Sequence, residues 1–221
     1  MSFPFPDRPG PRRHDPLIPG FRPWEPEPDP PRRDPLPPSR ILAYETNRLV
    51  ELRVVMAHGH LDGERAAELC SRLMTLDALG EGRPITLHLR LESAGLEAAF
   101  SVLDTMDVLT CPVHALVVGR LGGAALLVLA GARRREITPN AMIRMVEPSE
   151  RFDGTAAEMA LFEEQHRRQV EVFYERLARL TGRPAEEIRD DARRGRVLGA
   201  EQARAYGFVH DVTGTTPPGL A

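Results

Sequence analysis

"VVGRLGGAALLVLAGA", residues 117–132, is the stretch that decides the fold of this chain. An apolar run breaks at glycine and changes at once into a second apolar run. This order predicts a strand that turns directly into a buried helix, an arrangement that often presents a reactive side chain or a cluster of backbone N–H groups. The bend carries Gly122, Gly123 and Ala124, none of which is a nucleophile. The frame of an active site is therefore present without a reacting group.

The segments before this stretch alternate between strand and helix patterns. Apolar and polar residues alternate in "PITLHLRLES", residues 84–93, which predicts a strand. Apolar residues recur with helical spacing in "GLEAAFSVLDTMDVL", residues 95–109. Repeated strand–helix units favour a parallel sheet, because a parallel neighbour requires a crossover helix. Functional groups in such sheets lie at the carboxyl ends of the strands, here Glu92–Gly95, Gly119–Gly123 and the region after Met145.

A long amphipathic helix is predicted over residues 155–181. Thr155 and Glu158 form a capping box at its start, and Gly182 stands just past its end. Short helix patterns follow, and "FVHDVTG", residues 208–214, predicts a last strand.

Residues 1–39 differ from the rest of the chain in composition. They contain 14 of the 21 prolines, and proline removes backbone donors and fixes an extended path. We expect a disordered, proline-rich tail there, one ordered domain over residues 40–215, and a short disordered C-terminus over residues 216–221.

The composition excludes several classes of function. The 29 basic residues, all of them arginine, nearly balance 32 acidic residues, so no nucleic acid and no membrane is expected as a partner. The absence of lysine excludes Schiff-base chemistry and a Ser–Lys dyad. The N-terminus lacks the apolar core of a secretory signal, and a cytoplasmic location is expected. Cys70 and Cys111 lack metal-site spacing, which predicts buried thiols and neither a metal nor a cofactor.

Three stretches carry a resemblance to a known family. They are "DTM" at residues 104–106, "GRLGGAALLVLAGARRREITPNAMI" at residues 119–143, and "LTGRPAEEIRDDARRGRVLGAEQARAYGFVHDV" at residues 180–212. In this order and spacing they resemble ClpP, the proteolytic subunit of the Clp protease. The resemblance extends from about Asn47 to the last strand. It implies an α/β, ClpP/crotonase-like fold of repeated ββα and βα units with a long handle helix.

The resemblance also implies where a Ser-His-Asp triad would stand. Such a triad requires a hydroxyl to attack, an imidazole to move the proton and a carboxylate to orient the imidazole. The family's serine position falls on Gly123, its histidine position on Val146 and its aspartate position on Gly195. All three functional groups are missing, so no catalytic residue is expected at these positions.

The segments that support catalysis in the family differ here as well. Its N-S-P-G-G segment ends on Ser93 and Ala94, so these residues and Ala124 stand where the family binds the oxyanion and docks the substrate strand. Side chains there crowd a backbone meant to approach a carbonyl, and the carboxylate of Glu92 opposes a developing oxyanion. Residues 149–154, "SERFDG", replace a glycine-rich segment and discourage the addition of a substrate strand.

One alternative is a residually active endopeptidase that uses displaced groups. The candidate hydroxyls belong to Ser93 and Ser101, and the candidate imidazoles to His58, His60, His88 and His114. His58 and His60 flank a glycine at a strand end, which favours a solvated loop. His114 lies in an apolar strand, which favours a hydrogen-bonded core histidine. Loss of a serine-protease triad costs about 10⁶ in turnover, which weighs against residual proteolysis.

A second alternative is a crotonase-like, acyl-CoA-binding enzyme. The N–H groups of Gly122, Gly123 and Ala124 would hold a thioester oxygen, and Glu92 or Glu147 would act as acid or base. The CoA-binding features of that family are not recognisable, and the closing segment fits ClpP better.

The expected function is therefore that of a catalytically inactive ClpP-like subunit with a structural or regulatory role. The resemblance implies a homo- or hetero-oligomeric ring with ClpP-type subunits, and an AAA+ unfoldase ATPase as a candidate partner. Arg193 and Arg194 fall where the family pairs its rings. Like charges there favour pairing with a different, catalytic subunit.

Overall fold

The computed structural model describes residues 48–80, 82–150 and 153–213. The predicted tail over residues 1–39 and the predicted C-terminus over residues 216–221 lie outside this range.

Eight strands and six α-helices make up the described residues, together with a helical turn at residues 48–51. The strands are β1 Val54–Leu61, β2 Ile85–Ala94, β3 Val113–Val117, β4 Arg120–Gly122, β5 Arg134–Ile137, β6 Met142–Arg144, β7 Val197–Gly199 and β8 Asp211–Val212. The helices are α1 Gly63–Ala78, α2 Leu96–Val108, α3 Leu126–Ala130, α4 Ala156–Thr181, α5 Ala185–Arg193 and α6 Ala200–Tyr206. A 3-10 turn, Gly123–Ala125, precedes α3.

The main sheet has the strand order β1-β2-β3-β5-β8, and every pair in it is parallel. Alternate residues of β2 are fully buried, from Ile85 through Leu87 to Leu89, as the alternating pattern predicts. Helices α1 and α2 pack against each other, and Leu73 and Leu103 contribute buried side chains to the same core. The mixed α/β architecture with a parallel sheet confirms the predicted fold class.

A second, smaller sheet has the order β4-β6-β7. Strands β4 and β6 are parallel, whereas β6 and β7 are antiparallel. Its central residues Leu121, Ile143 and Leu198 are at most 1% exposed and face the core. The strand–turn–helix predicted at residues 117–132 lies here, since β4 passes directly into the 3-10 turn and α3.

Helix α4 is the predicted long helix, and both predicted caps are present. Thr155 and Glu158 form the capping box, and Gly182 adopts a left-handed conformation with φ of 71°. Buried residues occur only in its second half, at Phe173, Tyr174 and Leu177. The first half therefore contributes no fully buried side chain to the core of the described residues.

Asp77 connects the end of α1 to the entry of β3. Its carboxylate accepts hydrogen bonds from the backbone N–H groups of Cys111 at 2.7 Å and Thr110 at 3.1 Å. The bond from Cys111 is the largest influence, and together these bonds lower the pKa of Asp77 from 3.8 to about 2.

Several side chains differ from the sequence-based expectation. Cys111 is buried as predicted, but Cys70 is only half-buried. His58 and His60 both lie within β1 and are both exposed, so their predicted exposure to solvent is confirmed, whereas their predicted place in a loop was wrong. Strand β8 is confined to Asp211–Val212, because only these two residues pair with β5.

Candidate active site

The three positions that the resemblance assigns to a triad lie at one end of the small sheet. Gly123 directly follows β4, Val146 lies two residues after β6, and Gly195 lies two residues before β7. Because β6 runs parallel to β4 and antiparallel to β7, the ends of β4 and β6 adjoin the start of β7. A hydrogen bond from Met145 N–H to the carbonyl oxygen of Arg196, 2.8 Å long, continues this alignment beyond the strands.

Two of these positions have backbones that suit glycine. Gly123 has φ of 58° and Gly195 has φ of 66°, both in the left-handed region. A Cβ built at either residue would meet no atom within 4 Å, so space is not what limits the side chain. A non-glycine residue in this conformation costs roughly 1–2 kcal/mol. The backbone at both positions therefore disfavours the serine and the aspartate that the resemblance implies.

Gly122 is required by a close approach of three strands. A Cβ at this residue would lie 3.1 Å from the carbonyl oxygen of Glu92 and 3.2 Å from that of Arg144. The carboxyl end of β2 therefore lies beside the carboxyl ends of β4 and β6. Ala124 follows in the 3-10 turn and is buried, and Ala94 ends β2 half-buried.

Ser93 and His60 form the one displaced pair that the structure brings together. Strands β1 and β2 place the two residues opposite each other, and Ser93 Oγ lies 2.8 Å from His60 Nδ1. Both side chains are exposed. In the described part of the chain, no carboxylate is hydrogen-bonded to this imidazole. The arrangement is a dyad without the orienting third group of a triad.

The other displaced candidates do not join this pair. The hydroxyl of Ser101 donates to the carbonyl oxygen of Glu97 within α2. His58 lies opposite Arg90, and His114 is half-buried in β3.

Glu150 is a residue that sequence reasoning missed. Its Oε1 accepts a hydrogen bond of 2.8 Å from the backbone N–H of Leu96, at the N-terminus of α2. Its Oε2 lies 4.0 Å from His166 Nδ1 on α4, and that nitrogen is buried without a hydrogen-bond partner in the described residues. The sequence signal that could have indicated Glu150 was the replacement of the family's glycines by "SERFDG" at residues 149–154. A carboxylate from this segment thus occupies the helix N-terminus that follows Ala94 and Gly95.

The predicted assembly residues lie at the end of α5. Arg193 forms an ion pair of 3.6 Å with Glu147, while the side chain of Arg194 is exposed. Glu147 is thus partly neutralised by a neighbouring guanidinium.

Asp191 is a buried carboxylate next to the turn that contains Gly195. It accepts hydrogen bonds of 2.8 Å from Tyr206 Oη and from Arg196 Nη1. Burial, and then the bond to Asp191, raises the pKa of Tyr206 above its usual range. These contacts hold the turn that contains Gly195 against α6.

The parallel main sheet, the small sheet and the glycine elbow at Gly123 define an α/β protein of the ClpP/crotonase type. A family model described as Clp protease matches residues 40–216. The "ATP-dependent Clp protease proteolytic subunit 1" of Corynebacterium jeikeium is 33% identical over 178 residues, which span 80% of this chain and 94% of that protein. The corresponding subunit 2 of Rhodococcus jostii is 32% identical over 167 residues, which span 75% and 86%. This chain belongs to the Clp protease family.

A solved structure has the same fold. A ClpP1 mutant from Listeria monocytogenes aligns with a TM-score of 0.68 at 22% identity, over 76% of this chain and 95% of that chain. The family match does not favour the crotonase-like alternative. In the described residues, no helix is both long and apolar enough to cross a membrane.

Proposed function

We propose that this chain is a catalytically inactive subunit of a Clp-type proteolytic complex in the cytoplasm. The observation that carries the proposal is the convergence of Gly123, Val146 and Gly195 at one site. None of these residues supplies a hydroxyl, an imidazole or a carboxylate. Two of the positions are glycines in the left-handed region, where any side chain would be strained.

The first half of α4 supports a role in assembly. Met159 is 50% exposed and Leu161 is 71% exposed, and no residue before Phe173 in this helix is buried. Exposed apolar side chains on this half of the helix favour contact with another chain. We propose that the partners are ClpP-type subunits in a homo- or hetero-oligomeric ring, with an AAA+ unfoldase as a further partner. The domain boundaries that we propose remain residues 40 and 215.

Co-assembly and peptide cleavage test this proposal. The chain is purified alone and mixed with a catalytic ClpP from the same cell, and mass and cleavage of a fluorogenic peptide are measured. We expect a mixed oligomer in which cleavage depends only on the catalytic partner. A chain that stays separate from that partner contradicts the mixed ring. Cleavage by this chain alone contradicts the loss of activity.

A weak serine hydrolase is a second candidate, because Ser93 Oγ lies 2.8 Å from His60 Nδ1. An imidazole at this distance can accept the hydroxyl proton and activate the oxygen as a nucleophile. A fluorophosphonate probe tests it directly. Labelling that disappears in Ser93→Ala, but persists in Ser101→Ala, supports the hydrolase. No labelling above that of Ser93→Ala leaves the inactive subunit as the function.

A further inference from the structure

The outer side of the small sheet combines arginine with apolar side chains. Strand alternation turns Leu121, Ile143 and Leu198 towards the core and their neighbours outward. The sheet register pairs Arg120 with Met142 and Arg144 with Val197. The arginine face is defined as these four outward residues together with Arg90.

Arg90 joins this face from the main sheet. Its Cγ and Nε lie 3.6 Å from the position of a Cβ on Gly119, the residue immediately before Arg120. A depression of about 390 Å³ lies beside them, and its lining includes Asn140 and Met142. Arg90 therefore borders the same open space as β4 and β6.

The three guanidinium groups on this face have no partners in the described residues. Arg90, Arg120 and Arg144 are exposed, and none forms an ion pair or a side-chain hydrogen bond there. Ten other arginines of the described residues do form ion pairs with a carboxylate. Nearby Glu147 is already paired with Arg193, so it does not compensate this face.

The exposed apolar side chains of the arginine face indicate which kind of anion it would bind. Met142 is 37% exposed and Val197 is 50% exposed, and each lies opposite an arginine in the register. A guanidinium group binds a carboxylate through two parallel hydrogen bonds in a planar, bidentate pair. The carboxylate of Glu92 lines the depression and repels any anion, so a continuous row of phosphates is disfavoured more than isolated carboxylates. Spaced carboxylates with apolar side chains between them match this face better.

We propose that the arginine face binds acidic, extended polypeptide segments. The proposal rests on the proposed function: a subunit without a triad holds such a segment along the small sheet and does not cleave it. Arg90, Arg120 and Arg144 bind its carboxylates, while Met142 and Val197 contact its apolar side chains. Charge complementarity carries this choice of partner.

Fluorescence anisotropy with the full chain tests the proposal. The probe is a short fluorescein-labelled peptide in which glutamate alternates with leucine. Arg120→Gln/Arg144→Gln is compared with Arg133→Gln/Arg167→Gln, which removes the same charge from exposed arginines that also lack ion pairs in the described residues. We expect the first pair to weaken binding about tenfold, at roughly 0.2–1 kcal/mol per exposed charge pair, and the second to leave it unchanged.

Three outcomes would overturn the arginine face as a site for acidic polypeptide. They are an equal loss in both double variants, no measurable binding of the probe by the unmodified chain, and tighter binding of a single-stranded oligonucleotide than of the probe. A peptide with lysine in place of glutamate is expected not to bind. The mass of the probe is measured before and after incubation. Cleavage contradicts the proposed function, whereas the comparison of variants still decides where the probe binds.

Discussion

Removal of the Glu150 carboxylate should loosen the N-terminus of α2. The backbone N–H of Leu96 donates to Glu150 Oε1 at 2.8 Å, and the Glu150 side chain is 22% exposed. Removing a side-chain acceptor at a helix N-terminus costs about 0.5–2 kcal/mol. Water replaces the acceptor only partly in this half-enclosed position, so we expect Glu150→Ala to lower the free energy of unfolding by about 1–2 kcal/mol.

Glu150→Gln separates the hydrogen bond from the charge. Glutamine keeps an acceptor oxygen but loses the interaction of a negative charge with the helix dipole, which is worth about 0.3–1 kcal/mol. Ser149→Ala is the matched control, because Ser149 is an exposed neighbour with no side-chain hydrogen bond in the described residues. We expect Glu150→Ala to destabilise the fold most, Glu150→Gln less, and Ser149→Ala least.

Urea unfolding measures the global effect, and hydrogen exchange of the Leu96 amide measures the local one. A loss of about 1–2 kcal/mol corresponds to exchange that is about 5 to 30 times faster. Exchange should also accelerate in the first half of α4, because Glu150 Oε2 faces His166 on that helix. Unchanged exchange at Leu96 in Glu150→Ala would refute the reasoning, whatever the change in global stability.

Three further predictions concern glycines and one carboxylate. Gly123→Ser should not restore peptide cleavage and should cost about 1–2 kcal/mol, because φ is 58° there; cleavage by this variant would show that an imidazole and a carboxylate lie elsewhere. Gly207→Ala should cost about 2 kcal/mol or more in thermal unfolding, because φ is 99° and a Cβ would lie 2.7 Å from a backbone oxygen at the end of α4. Gly63→Ala is its control, since a Cβ there meets no atom within 4 Å; an equal loss in both variants would contradict the clash. The hydrogen bond from the N–H of Cys111 is the main reason that the pKa of Asp77 is lowered from 3.8 to about 2. The ionised Asp77 carboxylate therefore stabilises the fold above pH 3.8, and this contribution is lost as the pH falls from 3.8 towards 2. Asp77→Asn should flatten this part of the curve of unfolding free energy against pH.

The sequence predicted the elements whose patterns are local. The capping box at Thr155 and the left-handed Gly182 both follow from side-chain and backbone preferences within one helix. The last strand was predicted too long, because strand length depends on a partner, and β5 offers only Glu136 and Ile137 to β8. Burial of Phe208 and Val209 made them resemble strand residues although they do not pair.

The site was predictable only where it follows from position along the chain. The assignment of Gly123, Val146 and Gly195 to triad positions rests on alignment to a family motif and stays a prediction. The contact of Ser93 with His60 depends on the register of two parallel strands, and the register includes a bulge between Gly59 and His60. A single sequence does not determine such a shift.

The proposed loss of catalysis need not disturb the frame around the site. Leu121, Ala124 and Leu126 are at most 1% exposed, so they contribute to the core whether or not a nucleophile stands between them. The vacant positions at Gly123 and Gly195, in contrast, have open space where a side chain would project. Catalytic groups often reduce stability, and replacing them can leave a fold as stable as before.

The reverse change meets a barrier in the backbone. Serine at 123 and aspartate at 195 would each enter a left-handed conformation at roughly 1–2 kcal/mol, before any hydrogen bond to a histidine at 146 forms. The carboxylate of Glu150 would still occupy the Leu96 N–H, and Ser93 would still stand where the resemblance predicts a glycine of the oxyanion-binding segment. Restoring all three triad residues should therefore give a folded but inactive chain, and activity should require Glu150→Gly and Ser93→Gly as well. Peptide cleavage by the triple variant alone would show that these added side chains do not obstruct the site.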